Sequence, residues 1–76
     1  MFIAITIKTL KGQADIRIYS EQKIFEGLRV LIESGKLPTV HNPDFFRSSV
    51  KENLVSAYRT FSDEGIFDGD ILTAVY

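Results

Sequence analysis

The amino-acid sequence predicts an α+β fold in which one sheet packs against a single helix. Three features predict it: strand-type alternation of apolar residues near the N-terminus, one segment with helical spacing after it, and short apolar segments in the second half. A chain of 76 residues buries only roughly 60% of its unfolded surface, which suffices for one core. We therefore expect one domain over residues 1–76.

The composition argues against several classes of protein. Hydrophobic residues make up 45% of the chain and charged residues 25%, which are ordinary values for a globular protein. The formal net charge is −1 and Lys and Arg form no basic stripe, so nucleic acid is not an expected partner. Without cysteine or a long apolar run, the chain is expected to be cytoplasmic, held together by packing, and not inserted in a membrane.

The N-terminal segment predicts a strand with one apolar face. Ile3, Ile5 and Ile7 alternate with the residues of the opposite face, which are Phe2, Ala4, Thr6 and Lys8. After the connection Thr9–Gln13, alternation resumes with Ala14, Ile16 and Ile18. The connection is short and contains Gly12, so the two strands are predicted to form a hairpin.

Helical spacing follows the hairpin. The apolar residues that recur at this spacing are Ile24, Leu28 and Leu31. Ser20 is a predicted N-cap, and Gly35 followed by Pro38 is the usual sequence at a helix C-terminus. We therefore expect a helix over Glu21–Ser34.

The central part of the chain predicts a loop and two short strands. Leu37–Asp44 contains both prolines and has neither period, which favours a loop. Phe45–Val50 and Leu54–Tyr58 are apolar segments on either side of a polar turn, which favours a second strand pair.

The C-terminal part predicts two turns and a last strand. Ser62 is a candidate cap for one helical turn, and Gly65 is suited to closing it in a left-handed conformation. Asp68-Gly69 predicts a second turn, and Asp70–Tyr76 a terminal strand.

Two segments resemble ubiquitin, a β-grasp protein. Thr60–Ile66 is similar to the Thr-Leu-Ser-Asp-x-x-Ile segment that precedes the last strand of ubiquitin, and Lys8-Thr9-Leu10-x-Gly12 is similar to the tip of its first hairpin. The resemblance implies a mixed, four- to five-stranded β-grasp sheet packed on one α-helix, with the first and last strands paired in parallel at the centre. It also implies that the last strand turns Leu72 and Ala74 toward the helix and Thr73 and Val75 outward.

The pattern Asp63-x-x-Ile66-x-Asp68-Gly69-Asp70-x-Leu72 resembles the bacterial YukD/EsaB family, which is associated with type VII secretion. That resemblance implies a cytoplasmic accessory or regulatory component of the secretion system. It implies partners among the secretion-machinery proteins and no enzymatic activity.

Two departures from ubiquitin limit what the resemblance implies. The sequence ends at Tyr76 without the terminal Gly-Gly that an activating enzyme adenylates, so conjugation is not expected. Leu10 and Val75 match the apolar patch of ubiquitin, but Ser49 and Thr73 replace its isoleucine and histidine. The alternative is a ubiquitin-like carrier or a structural subunit of an enzyme complex.

The candidate interaction site is the sheet face opposite the helix. Its expected members are Ala4, Thr6, Lys8, Arg47, Ser49, Thr73 and Val75, with Leu10 beside them. A solvated face without a partner is the alternative interpretation. Phe45 and Phe46 are predicted to point to opposite faces of their strand. Either both are core residues, one of them covered by the preceding loop, or one is an exposed anchor for a partner. If the outer residues do not bind a partner, Phe46 is the next candidate site.

Other chemistry-bearing residues predict no catalytic, cofactor or metal site. His41 is the only histidine and is expected to be an exposed loop residue. The clustered carboxylates, which are Asp63, Glu64, Asp68 and Asp70, do not have the spacing of an EF-hand and are expected to cap turns. The three tyrosines are Tyr19, Tyr58 and Tyr76. Each is expected to lie either at an interface or at the edge of the core.

Overall fold

The strands of the chain form one sheet, and a single helix crosses one face of that sheet. The structure is a computed structural model that describes residues 1–76. The elements are β1 (Phe2–Thr9), β2 (Gly12–Tyr19), α1 (Ile24–Glu33), β3 (Phe45–Ser48), β4 (Asn53–Ser56) and β5 (Ile71–Val75). No helix has the length and apolar character that crossing a membrane requires.

The sheet has five strands in the order β2-β1-β5-β3-β4. The first and last strands are central neighbours and run parallel, with Ile7 opposite Leu72. Every other neighbouring pair is antiparallel, so the sheet is mixed. The predicted α+β class and the parallel pairing of β1 with β5 are therefore confirmed.

The core lies between the sheet and α1. Ile3, Ile5 and Ile7 project into it from β1, as their alternation predicted. The other fully enclosed large side chains are Ile24, Leu28 and Leu31 from the helix and Phe46, Phe61 and Leu72 from the later segments. Gly27 lets α1 approach closely, because a Cβ there would lie 3.2 Å from the Phe61 ring and 3.3 Å from Ile7.

The helix begins later than the predicted Glu21. Ser20 is not its N-cap, because the Ser20 backbone N–H donates to the Met1 carbonyl at 2.8 Å and so continues the ladder between β1 and β2. The cap residue is Lys23, which also forms an isolated bridge with Thr60. A tertiary contact therefore holds residues 20–23 outside the helix.

Two carbonyls from a later segment and one side chain of the first turn satisfy the N–H groups at the start of α1. Ile24 donates to the Arg59 carbonyl at 3.0 Å, and Phe25 donates to the Ala57 carbonyl at 2.9 Å. The Glu26 carboxylate accepts from the Lys23 N–H at 3.0 Å. These bonds replace the serine cap that the sequence predicted.

The second strand pair is shorter than the sequence predicted. β3 ends at Ser48 instead of Val50. β4 spans Asn53–Ser56, so it begins one residue earlier and ends two residues earlier than predicted. The N–H of Val50 and the N–H of Lys51 donate to side chains, at 3.1 Å each, instead of extending the ladder. The intervening turn includes Glu52, whose φ of +57° makes it the only non-glycine residue in the left-handed region.

The segment before β5 forms a turn rather than the predicted helical turn capped by Ser62. Thr60 supplies the cap, since its hydroxyl accepts from the Asp63 N–H at 2.9 Å. Gly65 closes the turn with φ +68°, as predicted, and Gly69 has φ +91° in the second predicted turn. Glycine is favoured at both positions because a Cβ strains this conformation.

Candidate functional site

The candidate site lies on the sheet face turned away from α1, which we call the outer face. Strand register places one residue from each of the five strands in a single row across it, in the order Gln13, Lys8, Thr73, Arg47 and Leu54. All of these residues are exposed. The row joins three of the predicted site residues, Lys8, Thr73 and Arg47, which are far apart in sequence.

Two cations of this row have no partner within the chain. Lys8 and Arg47 each lie one strand away from Thr73, so their backbones are about 10 Å apart, twice the spacing between strands. Neither forms an ion pair. The centre of the outer face is therefore positively charged and solvated.

Apolar side chains border these cations. Phe45 lies directly opposite Val75 on the neighbouring strand, and Leu54 lies opposite Arg47. Phe45 and Leu54 are both 47% exposed, whereas Val75 is partly buried. Together with the cations they form a mixed basic and apolar surface.

The proposal of Phe46 as the next candidate was wrong. Phe46 is completely buried under α1, and its neighbour Phe45 is the exposed aromatic residue of the pair. Sequence reasoning left this choice open and missed Leu54. Leu54 could have been found from strand alternation, because neighbouring strand residues point to opposite faces and Val55 lies in the core.

The remaining predicted residues lie at the margins of the outer face. Ser49 follows β3, and its N–H donates to the Ile71 carbonyl at 3.0 Å. Leu10 lies at the tip of the first hairpin with 82% exposure. It lines a shallow groove with Val40, His41 and Tyr76 rather than extending the row. The structure thus brings four of the six predicted residues together and leaves these two at the edges.

At the other end of the outer face, polar and aromatic groups pair with one another. The Thr6 hydroxyl donates to Asp15 at 2.6 Å. Phe2 stacks on Tyr19 with ring centroids 4.0 Å apart, and the Arg17 guanidinium lies 5.7 Å from the Phe2 centroid. Arg17 thus lies over an aromatic ring, whereas Lys8 and Arg47 near Thr73 have neither an aromatic contact nor an ion pair.

Three of the clustered carboxylates bind backbone N–H groups, but for two of them the N–H belongs to a strand and not to a turn that the carboxylate was expected to cap. Asp68 accepts from the Ala4 N–H at 2.6 Å, and Glu64 accepts from the Ser56 N–H at 2.5 Å. Asp70 is buried and accepts from the Ile71 N–H at 2.7 Å. No group of three or more His, Asp or Glu side chains is arranged to hold a metal ion.

The tyrosines lie at the edge of the core and on the surface. Tyr58 donates to the Asp44 carboxylate, and this hydrogen bond, with the negative charge, raises the pKa of the Tyr58 phenol. Burial raises the pKa of Tyr76. His41 is exposed, as expected.

No protein-family model matches the chain, and no curated protein matches it. Among solved structures, it is similar to the UBL domain of Plasmodium falciparum Dsk2, with a TM-score of 0.59 and 15% sequence identity. The match covers 99% of this chain and 100% of that domain. At this identity the likeness concerns the fold alone, and it confirms the ubiquitin-like β-grasp fold.

Proposed function

We propose that this chain is a ubiquitin-like protein-interaction module that binds its partner non-covalently through the outer face. The observation that carries the proposal is the row in which unpaired Lys8 and Arg47 flank Thr73, with Leu54, Phe45 and Val75 beside it. The face next to α1 is filled by the core, so the outer face is the broad sheet surface available to a partner.

The chemistry of this surface defines the partner. Arginine and aromatic side chains, phenylalanine among them, are enriched at protein interfaces, and Arg47 and Phe45 supply one of each. Lys8 and Arg47 favour carboxylates on the partner, because unpaired cations steer association with an acidic surface. The partner therefore presents an acidic and apolar patch to the sheet.

We further propose that the partner belongs to a bacterial type VII secretion system and that the chain is its cytoplasmic accessory or regulatory component. The similarity of the Asp63 to Leu72 segment to the YukD/EsaB family supports this proposal. The ubiquitin-like fold is compatible with it. Asp68 binds the Ala4 N–H of β1 and Asp70 binds the Ile71 N–H of β5, so their contribution to function is to hold the segment before β5 against the sheet.

A pull-down with matched baits tests both parts of the proposal. The wild-type chain, Lys8→Glu, Val75→Asp and the control Lys36→Glu are compared in lysate from a host that encodes such a system. Lys36 is an exposed residue after α1, so its charge reversal matches that of Lys8 away from the row. We expect wild type and Lys36→Glu to recover components of the secretion machinery, and the two outer-face variants to recover several-fold less.

Recovery of no secretion component by a folded wild-type bait contradicts the type VII assignment. Equal recovery by all four baits contradicts the outer face as the binding surface. A covalent adduct at the C-terminus, detected as an increase in intact mass, instead supports the alternative of a ubiquitin-like carrier.

A further inference from the structure

We propose that two copies of this chain associate through antiparallel pairing of their β2 strands, which form one edge of the sheet. β2 is an edge strand of eight residues. In an edge strand, every second residue directs its backbone N–H and C=O away from the sheet. These groups form a ready template for another strand.

The register identifies which residues direct their backbone groups outward. Ser20 donates its N–H to the Met1 carbonyl, so the pairs between β1 and β2 that exchange hydrogen bonds contain the even-numbered residues of β2. The residues of the opposite parity direct their backbone groups to the free edge. They are Gln13, Asp15, Arg17 and Tyr19, of which Tyr19 already uses its carbonyl to accept from the Gln22 N–H at 3.0 Å. Outside the strand ladder, the chain offers no partner to the backbone groups of Gln13, Asp15 or Arg17.

The charged side chains of this edge can pair with the same side chains of a second copy. Asp15 and Arg17 lie on the same face of β2, two residues apart. A twofold axis at Ile16 places Asp15 of one copy opposite Arg17 of the other, and the symmetry repeats the pair. Each such pair exchanges two N–H···O=C bonds in an antiparallel ladder.

This register is selected by charge. Moving the twofold axis by one residue toward Gln13 places Asp15 opposite itself, and moving it toward Tyr19 places Arg17 opposite itself. Like charges that face each other across a strand pair are destabilising, whereas opposite charges stabilise it. The register centred on Ile16 avoids both conflicts and pairs seven residues, from Gln13 to Tyr19 of each copy.

The inward-facing side of the edge carries no charge that prevents pairing. Ala14, Ile16 and Ile18 lie on that side, and Ala14 and Ile16 remain partly exposed. Edge strands that avoid association commonly place a charge or a proline there. Lys36 is the only charged residue of another element that lines the same surface depression as Asp15, Ile16 and Arg17. It is exposed and forms no ion pair, so it can turn aside.

Pairing of this kind is independent of the outer-face partner. The sheets of both copies become continuous, and each copy keeps Lys8, Thr73 and Arg47 accessible. The second copy thereby doubles the number of outer-face rows on one surface, which raises avidity for a partner with repeated sites.

Sedimentation equilibrium with a charge swap tests the proposal. Wild type is expected to show a monomer–dimer equilibrium at protein concentrations up to about 1 mM. Asp15→Arg and Arg17→Asp each bring like charges together in both pairs. Each variant alone is therefore expected to have a dimer dissociation constant at least about tenfold higher than that of wild type. An equimolar mixture of the two restores every opposite-charge pair and is expected to recover the wild-type association. Arg47→Glu, three strands away from β2 on the same outer face, is the control and leaves the equilibrium unchanged.

A second variant keeps the test decisive if a charge swap impairs folding. Gln13→Pro removes an outward N–H at an edge position, where proline is tolerated, and is expected to fold and to dimerise more weakly. In wild type, hydrogen exchange at Gln13, Asp15 and Arg17 is expected to slow as the protein concentration rises. A wild-type chain that stays monomeric at every concentration overturns the proposal. A dimer whose affinity is unchanged by the charge swaps also overturns it. The same holds if hydrogen exchange at the β2 edge slows only when a different protein is added.

Discussion

The hydroxyl of Ser48 donates a hydrogen bond to the buried carboxylate of Asp70, which joins the end of β3 to the start of β5. Ser48 is fully buried and Asp70 is 1% exposed. The same carboxylate accepts from the Val50 N–H at 3.1 Å and the Ile71 N–H at 2.7 Å. One side chain therefore fixes both the turn after β3 and the entry into the central strand that carries Thr73.

Removing this carboxylate is expected to destabilise the fold. Asp70→Ala leaves the buried Ser48 hydroxyl and two backbone N–H groups without their acceptor, at a cost of about 3 kcal/mol. Ser48→Ala removes one donor to the carboxylate and the acceptor of the Lys51 N–H, and is expected to cost about 1 to 2 kcal/mol. Urea unfolding of both variants measures these values, and an Asp70→Ala variant as stable as wild type would show that the network is dispensable.

The core assignment of β1 predicts opposite results at two adjacent positions. Ile5 is 2% exposed, so Ile5→Asp places an unpaired charge in the core and is expected to abolish cooperative folding. Ala4 is exposed and lies opposite Arg17, so Ala4→Asp is expected to leave the melting temperature nearly unchanged. Circular dichroism melts compare the two, and a cooperative wild-type melt for Ile5→Asp would refute the strand register.

Close packing at Gly27 predicts that a normally favourable helix substitution is unfavourable here. Alanine is favoured over glycine in helices by about 1 kcal/mol. The new methyl group, however, would lie 3.2 Å from the fully buried Phe61 ring. We expect Gly27→Ala to cost about 1 to 3 kcal/mol through overpacking.

A double-mutant cycle separates this crowding from other effects. Phe61→Leu removes the ring atom nearest Gly27, so Gly27→Ala is expected to cost less in that background. Equal costs in both backgrounds would place the effect elsewhere.

The bond between Tyr58 and Asp44 predicts a titration that depends on both residues. Because the carboxylate accepts from the phenol and repels the phenolate, Tyr58 should titrate above an ordinary tyrosine. Asp44→Asn removes the charge and is expected to lower the pKa of Tyr58, as measured by carbon NMR of the tyrosine rings. The folded-state pKa is the raised one, so the bond stabilises the fold below the pKa of unfolded tyrosine and is lost as pH rises through the raised value. An unchanged Tyr58 titration in Asp44→Asn would exclude this bond.

Local patterns predicted the first hairpin well, because alternating isoleucines specify both the strands and their inward face. They failed where tertiary bonds override local preference. Ser20 has a good capping side chain, but its N–H belongs to the sheet ladder, and Thr60 rather than Ser62 caps the later turn. Parity could have identified Leu54, yet Val55 beside it hides the alternation.

Predicting the candidate site depended most on knowing the order of the strands in the sheet. The row of Lys8, Thr73 and Arg47 requires the last strand to lie between the first and third, which the alternation of each strand alone does not specify. The resemblance to ubiquitin supplied that order. It did not supply Phe45, because the adjacent Phe46 fits the core equally well by composition.

Chemical-shift mapping of the labelled chain with a partner recovered in the pull-down tests the central claim most directly. Binding through the outer face predicts the largest amide shifts at Lys8, Arg47, Leu54, Thr73 and Val75, with small shifts on the solvent side of α1. Shifts confined to α1 and the 37–44 loop, with none along the row, would contradict the claim.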